Sequence, residues 1–353
     1  MTSSKSTPLV TWDCGTAYDL FASLHVLHRP DRFGLRRAWA AGVRSRIPAV
    51  HRSVLEESQD LFGTPLAWIY RLPAPKDAAT ALWALEQLPE PDRLPALALT
   101  ADVQVDTTER LNNIAQRGSW NDEDLEALRS LFQQRGWVAK PKALVNILNC
   151  WSHPGEFGAR YLAALQAYQA AFFAEEERRI QPVLEAARQQ AQELASQVPF
   201  AQLVETLSQG VQIAALHESA QVVLAPSYWS TPLVIYGHLD VASMLMLFGG
   251  RPAERGLVPG EVIPDAMLRA LKALADPTRL KMLRYLAEEP LTPAQLARRL
   301  RLRAPTMIHH LNALRLAGLV HVELEAEGEK RYTSRVEVAK DTFAALQDFL
   351  ERR

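Results

Sequence analysis

The chain has little cysteine: its 353 residues contain only Cys14 and Cys150. Two thiols exclude a disulfide framework, and both are expected to be free and buried. It also lacks long apolar runs. No stretch approaches the ~18 residues of a membrane span, and no charged-then-apolar leader opens the sequence, so a cytoplasmic protein with no membrane partner is expected. Net charge is nearly absent, at -1, so no global field draws the whole chain toward a polyanion. The signatures of common catalytic folds are missing too. There is no G-x-S-x-G elbow, no G-x-x-x-x-G-K phosphate loop and no G-x-G-x-x-G after a strand. His217-Glu218 opens like a zinc-protease helix, but Gln221 stands where the second histidine is required. His25 and His28, three apart with Cys14 and Asp19 upstream, form a conceivable metal cluster, yet lone helical histidines more often cap or face solvent. The expectation is no catalytic residue, no metal, no cofactor and no enzyme.

Informative order lies in the last quarter. Asp276 precedes Pro277, an N-cap acceptor followed by the one residue that needs no amide hydrogen at the first helical position. A helix is expected from about Pro277, burying Leu280, Leu283 and Leu286. Thr292, before Pro293 and three residues ahead of Gln295, has the spacing of a capping box for a second helix with Leu296 and Leu300 inward. The chain then turns through Arg301 to Arg303. Met307, Leu311 and Leu314 mark the buried side of a third helix, which Gly318 is placed to end. Alternating residues at Val320 to Leu324 and Lys330 to Ser334 predict a β-ribbon. This is the order of a winged helix-turn-helix.

With Met307, Leu311 and Leu314 inward, the opposite face of the third helix presents Pro305, His309 and Asn312, flanked by Thr306, Ile308 and Leu316. Thr306, His309 and Asn312 are the candidate base contacts, since asparagine pairs bidentately with adenine and the N-terminal part of such a helix meets base edges. Arg301, Arg303 and Arg315 are the candidate phosphate contacts, and Lys330 and Arg331 those of the wing. Between Arg269 and Val322 ten Lys or Arg face three acids, Asp276, Glu288 and Glu289. A cationic surface of this kind predicts salt-dependent binding to double-stranded DNA, although a solvated helical face looks the same in sequence. Glu323, Glu325, Glu327 and Glu329 crowd the ribbon and oppose phosphate there.

The segment resembles the ArsR-type winged-helix transcriptional regulators. The resemblance rests on ALADPTRLKMLRYL (273–286), QLARRL (295–300) and HHLNALRLAGLV (309–320), and covers roughly residues 264 to 353. It implies a dimeric DNA-binding regulator, usually a repressor released by an effector. Two departures matter. The metal-sensing cysteines that some relatives carry at the start of the second helix are absent from Glu289 to Pro293. The polar run that usually opens the recognition helix is here Arg303, Ala304, Pro305, Thr306, Met307 and Ile308.

Before this module the expected fold is mainly α, with a small late hairpin. We expect residues 1–248 to form a helical sensing or dimerisation domain of one lobe or two, and 249–263 a Gly/Pro linker centred on GGRPAERGLVPG, with the winged domain at 264–353. Helices are expected at Gly15 to His28, Leu35 to Ile47, Val50 to Phe62, Asp77 to Leu88 and Asp122 to Arg135. An apolar stripe from Phe157 to Phe172, continuing beyond Pro182 to Leu194, predicts one kinked helix or two consecutive ones. The β-rich runs Gln221 to Ala225 and Leu233 to Tyr236 are read as a hairpin, while Ser243 to Phe248 fits a strand or a helix end. This region resembles the large N-terminal domain that accompanies some ArsR-like regulators.

All eight tryptophans precede the winged module. Core packing explains most of them, and Tyr228 and Trp229 are the candidates for an organic effector's pocket. The C-terminal stretch Val338 to Arg353 is an amphipathic helix whose Phe343, Leu346, Phe349 and Leu350 need a partner, either the N-terminal body or a second subunit of a homodimer. The competing class is a protein-interaction or architectural module that uses the apolar face of the third helix and the acidic ribbon.

Overall fold

The computed structural model describes residues 7–100, 105–134, 140–252, 264–324 and 330–351. The body begins with β1 (Leu9–Trp12), α1 (Thr16–His28) and a 3-10 turn (Pro30–Phe33). Short helices follow: α2 (Arg37–Ser45), α3 (Ala49–Ser58), α4 (Leu66–Tyr70), α5 (Ala78–Gln87) and α6 (Glu90–Ala98). Next come α7 (Val105–Arg117), α8 (Asp122–Gln134), α9 (Pro141–Ser152) and α10 (Pro154–Tyr168). A π-helical turn at Gln169–Phe173 passes directly into α11 (Ala174–Ala195), which contains Pro182. The apolar stripe is therefore carried by successive helical segments, with a wide turn between them that Pro182 does not itself occupy. The body closes with α12 (Phe200–Leu207), β2 (Val211–Ile213), α13 (Ala214–Glu218), β3 (Gln221–Ser227), β4 (Ile235–His238) and β5 (Ser243–Gly249).

These strands do not form the expected hairpin. β3 lies between β1 and β5, parallel to both, and β4 pairs antiparallel with β5, giving the order β1-β3-β5-β4. The physical reason is legible in burial. β3 and β5 are apolar on both faces and belong at the centre of a covered sheet, where a half-solvated hairpin strand would alternate. Val223, Ala225, Leu245 and Leu247 face the core built by the long helical insertion between β1 and β2. Val222, Leu224, Met244, Met246 and Phe248 face a second core with α12, β2 and the end of α11.

The module consists of α14 (Asp265–Leu274), α15 (Pro277–Glu288), α16 (Pro293–Leu300), α17 (Ala304–Leu316), β6 (Val320–Leu324), β7 (Lys330–Ser334) and α18 (Val336–Glu351). Its caps are those the sequence predicts. Asp276 accepts from the Thr278 and Arg279 amides at 2.8 and 3.0 Å, and Thr292 with Gln295 closes the capping box. Gly318, at φ +69°, ends α17 with the Leu319 amide donating to the Leu314 carbonyl, a Schellman closure. One inward assignment fails: Leu280 is 49% exposed, and Met282 takes the buried position with Leu286.

Body and module share a sheet. β6 pairs antiparallel with β7 and, on its other edge, parallel with β2, so that Val211 stands opposite Val322 and Ile213 opposite Leu324. Leu324 packs on the body's second core. The start of the expected linker is likewise structured, since Gly249 ends β5 and Arg251 is buried; residues 253–263 lie outside the described residues. Among those described, no helix is long and apolar enough to cross a membrane.

Candidate nucleic-acid interface

The module's core fixes which side of α17 faces out. Met307, Leu311 and Leu314 are buried against α14, α15 and α16, leaving Thr306, His309 and Asn312 exposed one turn apart. Ile308 beside them is 45% exposed. This strip reaches from the first turn of α17 to its third and is exposed among the described residues. His310 turns the other way, with Nδ1 4.0 Å from an Asp276 carboxylate oxygen, and burial lowers its pKa.

The cations around the strip divide into two sets. Arg301 and Arg303, both exposed, flank the N-terminal end of α17. Arg301 occupies the left-handed region at φ 53°, ψ 42°, a conformation in which a side chain is disfavoured and glycine is not. Thus a long charged side chain stands where backbone preference alone calls for none. Arg299 is engaged by Glu289 at 2.5 Å and lies over the Tyr285 ring.

Arg315 corrects the sequence reading. Instead of facing phosphate, its Nη2 donates to the Ser208 carbonyl at 3.0 Å and its Nη1 to that of Gln209 at 3.3 Å. Burial, then the neighbouring Arg335, lowers its pKa to about 10. Arg335 Nη1 donates to the same Gln209 carbonyl at 3.0 Å and to Gly318. The Ser208 and Gln209 carbonyls belong to the C-terminal turn after α12, where free acceptors and the helix dipole favour a cation. Gln209 and Gly210, at φ 55° and 91°, turn the chain sharply there into β2. The C-terminal end of α17 is therefore held by the body. Sequence inspection missed Arg335, Gln209 and the β2 pairing because three residues, Val-Gln-Ile, are too short for a strand signal.

On the wing, Lys330 is exposed and Arg331 half-buried, both on β7. The tip acids Glu325, Glu327 and Glu329 lie outside the described residues. Tyr228 and Trp229 are also corrected: they are core residues. Trp229 stacks on Trp39 at 5.4 Å and meets Phe172 edge-on. The Tyr228 hydroxyl accepts from Arg179 at 2.8 Å. Asp19, fully buried on α1, accepts from the amides of both and from Ser227. Burial raises its pKa to about 6 against the lowering effect of those bonds. His25 receives a hydrogen bond from Arg29, and His28 Nδ1 is bonded to the Leu24 carbonyl. Cys14 and Cys150 are free thiols, the first half-buried and the second buried.

Residues 274–323 match the family described as a helix-turn-helix domain. The capped helices, the buried face of α17 and the β6–β7 ribbon have the corresponding geometry. The C-terminal module is a winged helix-turn-helix domain. Two solved structures are similar to part of this chain. HlyU from Vibrio cholerae N16961 is 31% identical, over 24% of this chain and 94% of its own, with a TM-score of 0.20. NolR from Sinorhizobium fredii is 26% identical, over 27% of this chain and 94% of its own, with a TM-score of 0.21. No curated protein matches the sequence. The helix-turn-helix domain thus accounts for the C-terminal quarter and leaves the body to be read from its own residues.

Proposed function

We propose that this chain is an ArsR-like transcription regulator that binds double-stranded DNA through α17 and acts as a homodimeric repressor in the cytoplasm. The observation that carries the reading is the uncovered strip of Thr306, His309 and Asn312 set beside Arg301 and Arg303. Phosphate contacts from the two arginines would set the register while the strip reads base edges. Lys330 and Arg331 would add wing contacts.

A second copy is the partner that best suits α14 and α18. Phe343 and Leu350 on α18 are 58% and 73% exposed, and the two helices border an apolar groove of about 480 Å³ that includes Met267, Ala270, Val338 and Phe349. Two-fold pairing on this face would place two α17 helices on successive half-sites. The body would serve as the sensing element, because its β2 and the Gln209 carbonyl hold the reading helix and wing directly. No catalytic role is assigned to it.

The test is selection of bound genomic fragments, then fluorescence anisotropy on the recovered duplex across a salt series. Wild type should bind selectively, with log affinity falling steeply with log salt. Arg301→Ala/Arg303→Ala should weaken binding about tenfold or more and lower the slope by about two. Absence of enrichment, with weak binding even at low salt, would instead favour a protein-contact role for the Ile308 face.

A further inference from the structure

Body and module meet around two arginines that share one carboxylate. Arg251 follows β5, and its side chain is only 2% exposed. Its Nη1 stands 3.4 Å from an Asp265 oxygen and its Nη2 3.4 Å from the Thr231 carbonyl, both at the long limit of hydrogen bonding. Arg269, one turn along α14 from Asp265, donates to that same oxygen at 2.9 Å. The Arg269 Nε is buried and has no hydrogen-bond partner among the described residues. Burial, then the Arg269 charge, lowers the Arg251 pKa to about 10, against Asp265 and Tyr228, which raise it. The Tyr228 ring lies 5.8 Å from the Arg251 guanidinium and the Arg269 stem rests on Gly34, so both cations are held in place by the body.

Among the described residues one acid faces two desolvated guanidinium groups, which leaves one positive charge without a counter-charge there, an arrangement that is costly unless a further anion shares it. The same three side chains line a cavity of about 90 Å³, together with Gln209 and Thr231 of the body and Leu316 at the end of α17. That volume accommodates a phosphate or carboxylate group. Guanidinium donors that Asp265 leaves poorly used are the natural partners of such a group.

We propose that this cavity is a binding site for a small organic anion, whose carboxylate or phosphate group is held by Arg251 and Arg269. The anion neutralises the second guanidinium and draws the body and α14 together around it. Gln209 lines the cavity and also accepts from Arg315, so the occupied site adjoins the anchor of the recognition helix. Binding itself is independent of the DNA reading and is tested without DNA.

Thermal unfolding of the full chain is followed in a chloride buffer of constant ionic strength while inorganic phosphate or acetate replaces chloride. Wild type, Arg269→Gln and Asp265→Asn are compared. At least one anion should raise the wild-type Tm along a saturating curve, phosphate alone indicating a phosphate monoester class and acetate alone a carboxylate class. Arg269→Gln should lose the saturating component. Asp265→Asn, freed of the competing carboxylate, should saturate at about tenfold lower concentration. Equilibrium dialysis of radiolabelled phosphate and acetate against wild type gives the same reading should either variant fail to unfold cooperatively. No saturating shift in wild type or Asp265→Asn, or an undiminished shift in Arg269→Gln, would overturn the proposal; a merely linear rise common to all three is the salting effect of excluded ions.

Discussion

The two ends of α17 are built from the same helix and serve opposite purposes. At its N-terminal end the polar groups Thr306, His309 and Asn312 are exposed, beside two exposed arginines, one of them in a backbone conformation that disfavours any side chain. At its C-terminal end Arg315 is drawn onto the body's carbonyls, and Gly318 and Arg335 complete the closure. Contact with DNA needs side chains without protein partners, whereas holding a helix at a fixed angle needs partners that are desolvated and few. The contrast shows that charge counted along a sequence is not charge available to a ligand.

The largest effect expected from this contrast is at Arg315. Arg315→Ala leaves the Ser208 carbonyl without its donor and opens the joint, so stability should fall by about 2–3 kcal/mol in urea unfolding. The salt slope of DNA binding should stay that of wild type. A slope lowered by about one, the mark of a lost phosphate contact, would erase the distinction between the two ends. Asn312→Ala should do the reverse, leaving the urea midpoint in place while discrimination at one operator position drops by about 1–3 kcal/mol, read by anisotropy on singly substituted duplexes. Uniform weakening on every duplex would remove Asn312 from base readout. Arg301→Gly separates strain from binding within one residue. Relief of the left-handed conformation should stabilise the fold by about 1 kcal/mol, while DNA affinity and its salt slope both decline. A destabilised variant would mean that the Arg301 side chain is part of the fold.

The module was legible in sequence because its signals are local. Asp276-Pro277, the Thr292/Gln295 box, Gly318 and the alternation at Val320 to Leu324 each act within a few residues, and the structure places helix ends and strands at those points. What escaped is non-local. Nothing within QVVLAP says that its neighbours are β1, some two hundred residues earlier, and β5, and proximity in sequence points instead to the next β-rich run. Arg315 reads as a phosphate contact by its charge and its place on the third helix, and neither says what the rest of the chain brings alongside it. Tyr228 and Trp229 look like pocket residues in a Ser/Thr/Pro-rich segment, and only the buried Asp19 carboxylate accepting both amides explains why that segment turns inward.

The smallest expected effect is a pH dependence confined to the held end. His321 on β6 lies 3.3 Å from Glu205 of the body and 4.0 Å from Glu337, and these acids favour its protonation. Burial, then the Arg335 charge, outweighs them, so its pKa is lowered. An imidazole whose folded pKa lies below its unfolded value contributes its full stability above about pH 6.5 and loses it as pH falls from there toward the folded pKa, because the unfolded chain takes up the proton first. The ring is partly exposed, so solvent screening keeps the effect small. Urea midpoints measured from pH 7.5 to 5 should therefore fall more steeply for wild type than for His321→Gln, with the two curves diverging below about pH 6.5. Parallel curves would mean that Glu205 compensates the proton fully, so that the carbonyl–arginine contacts and the β2–β6 pairing hold body and wing without a titrating group.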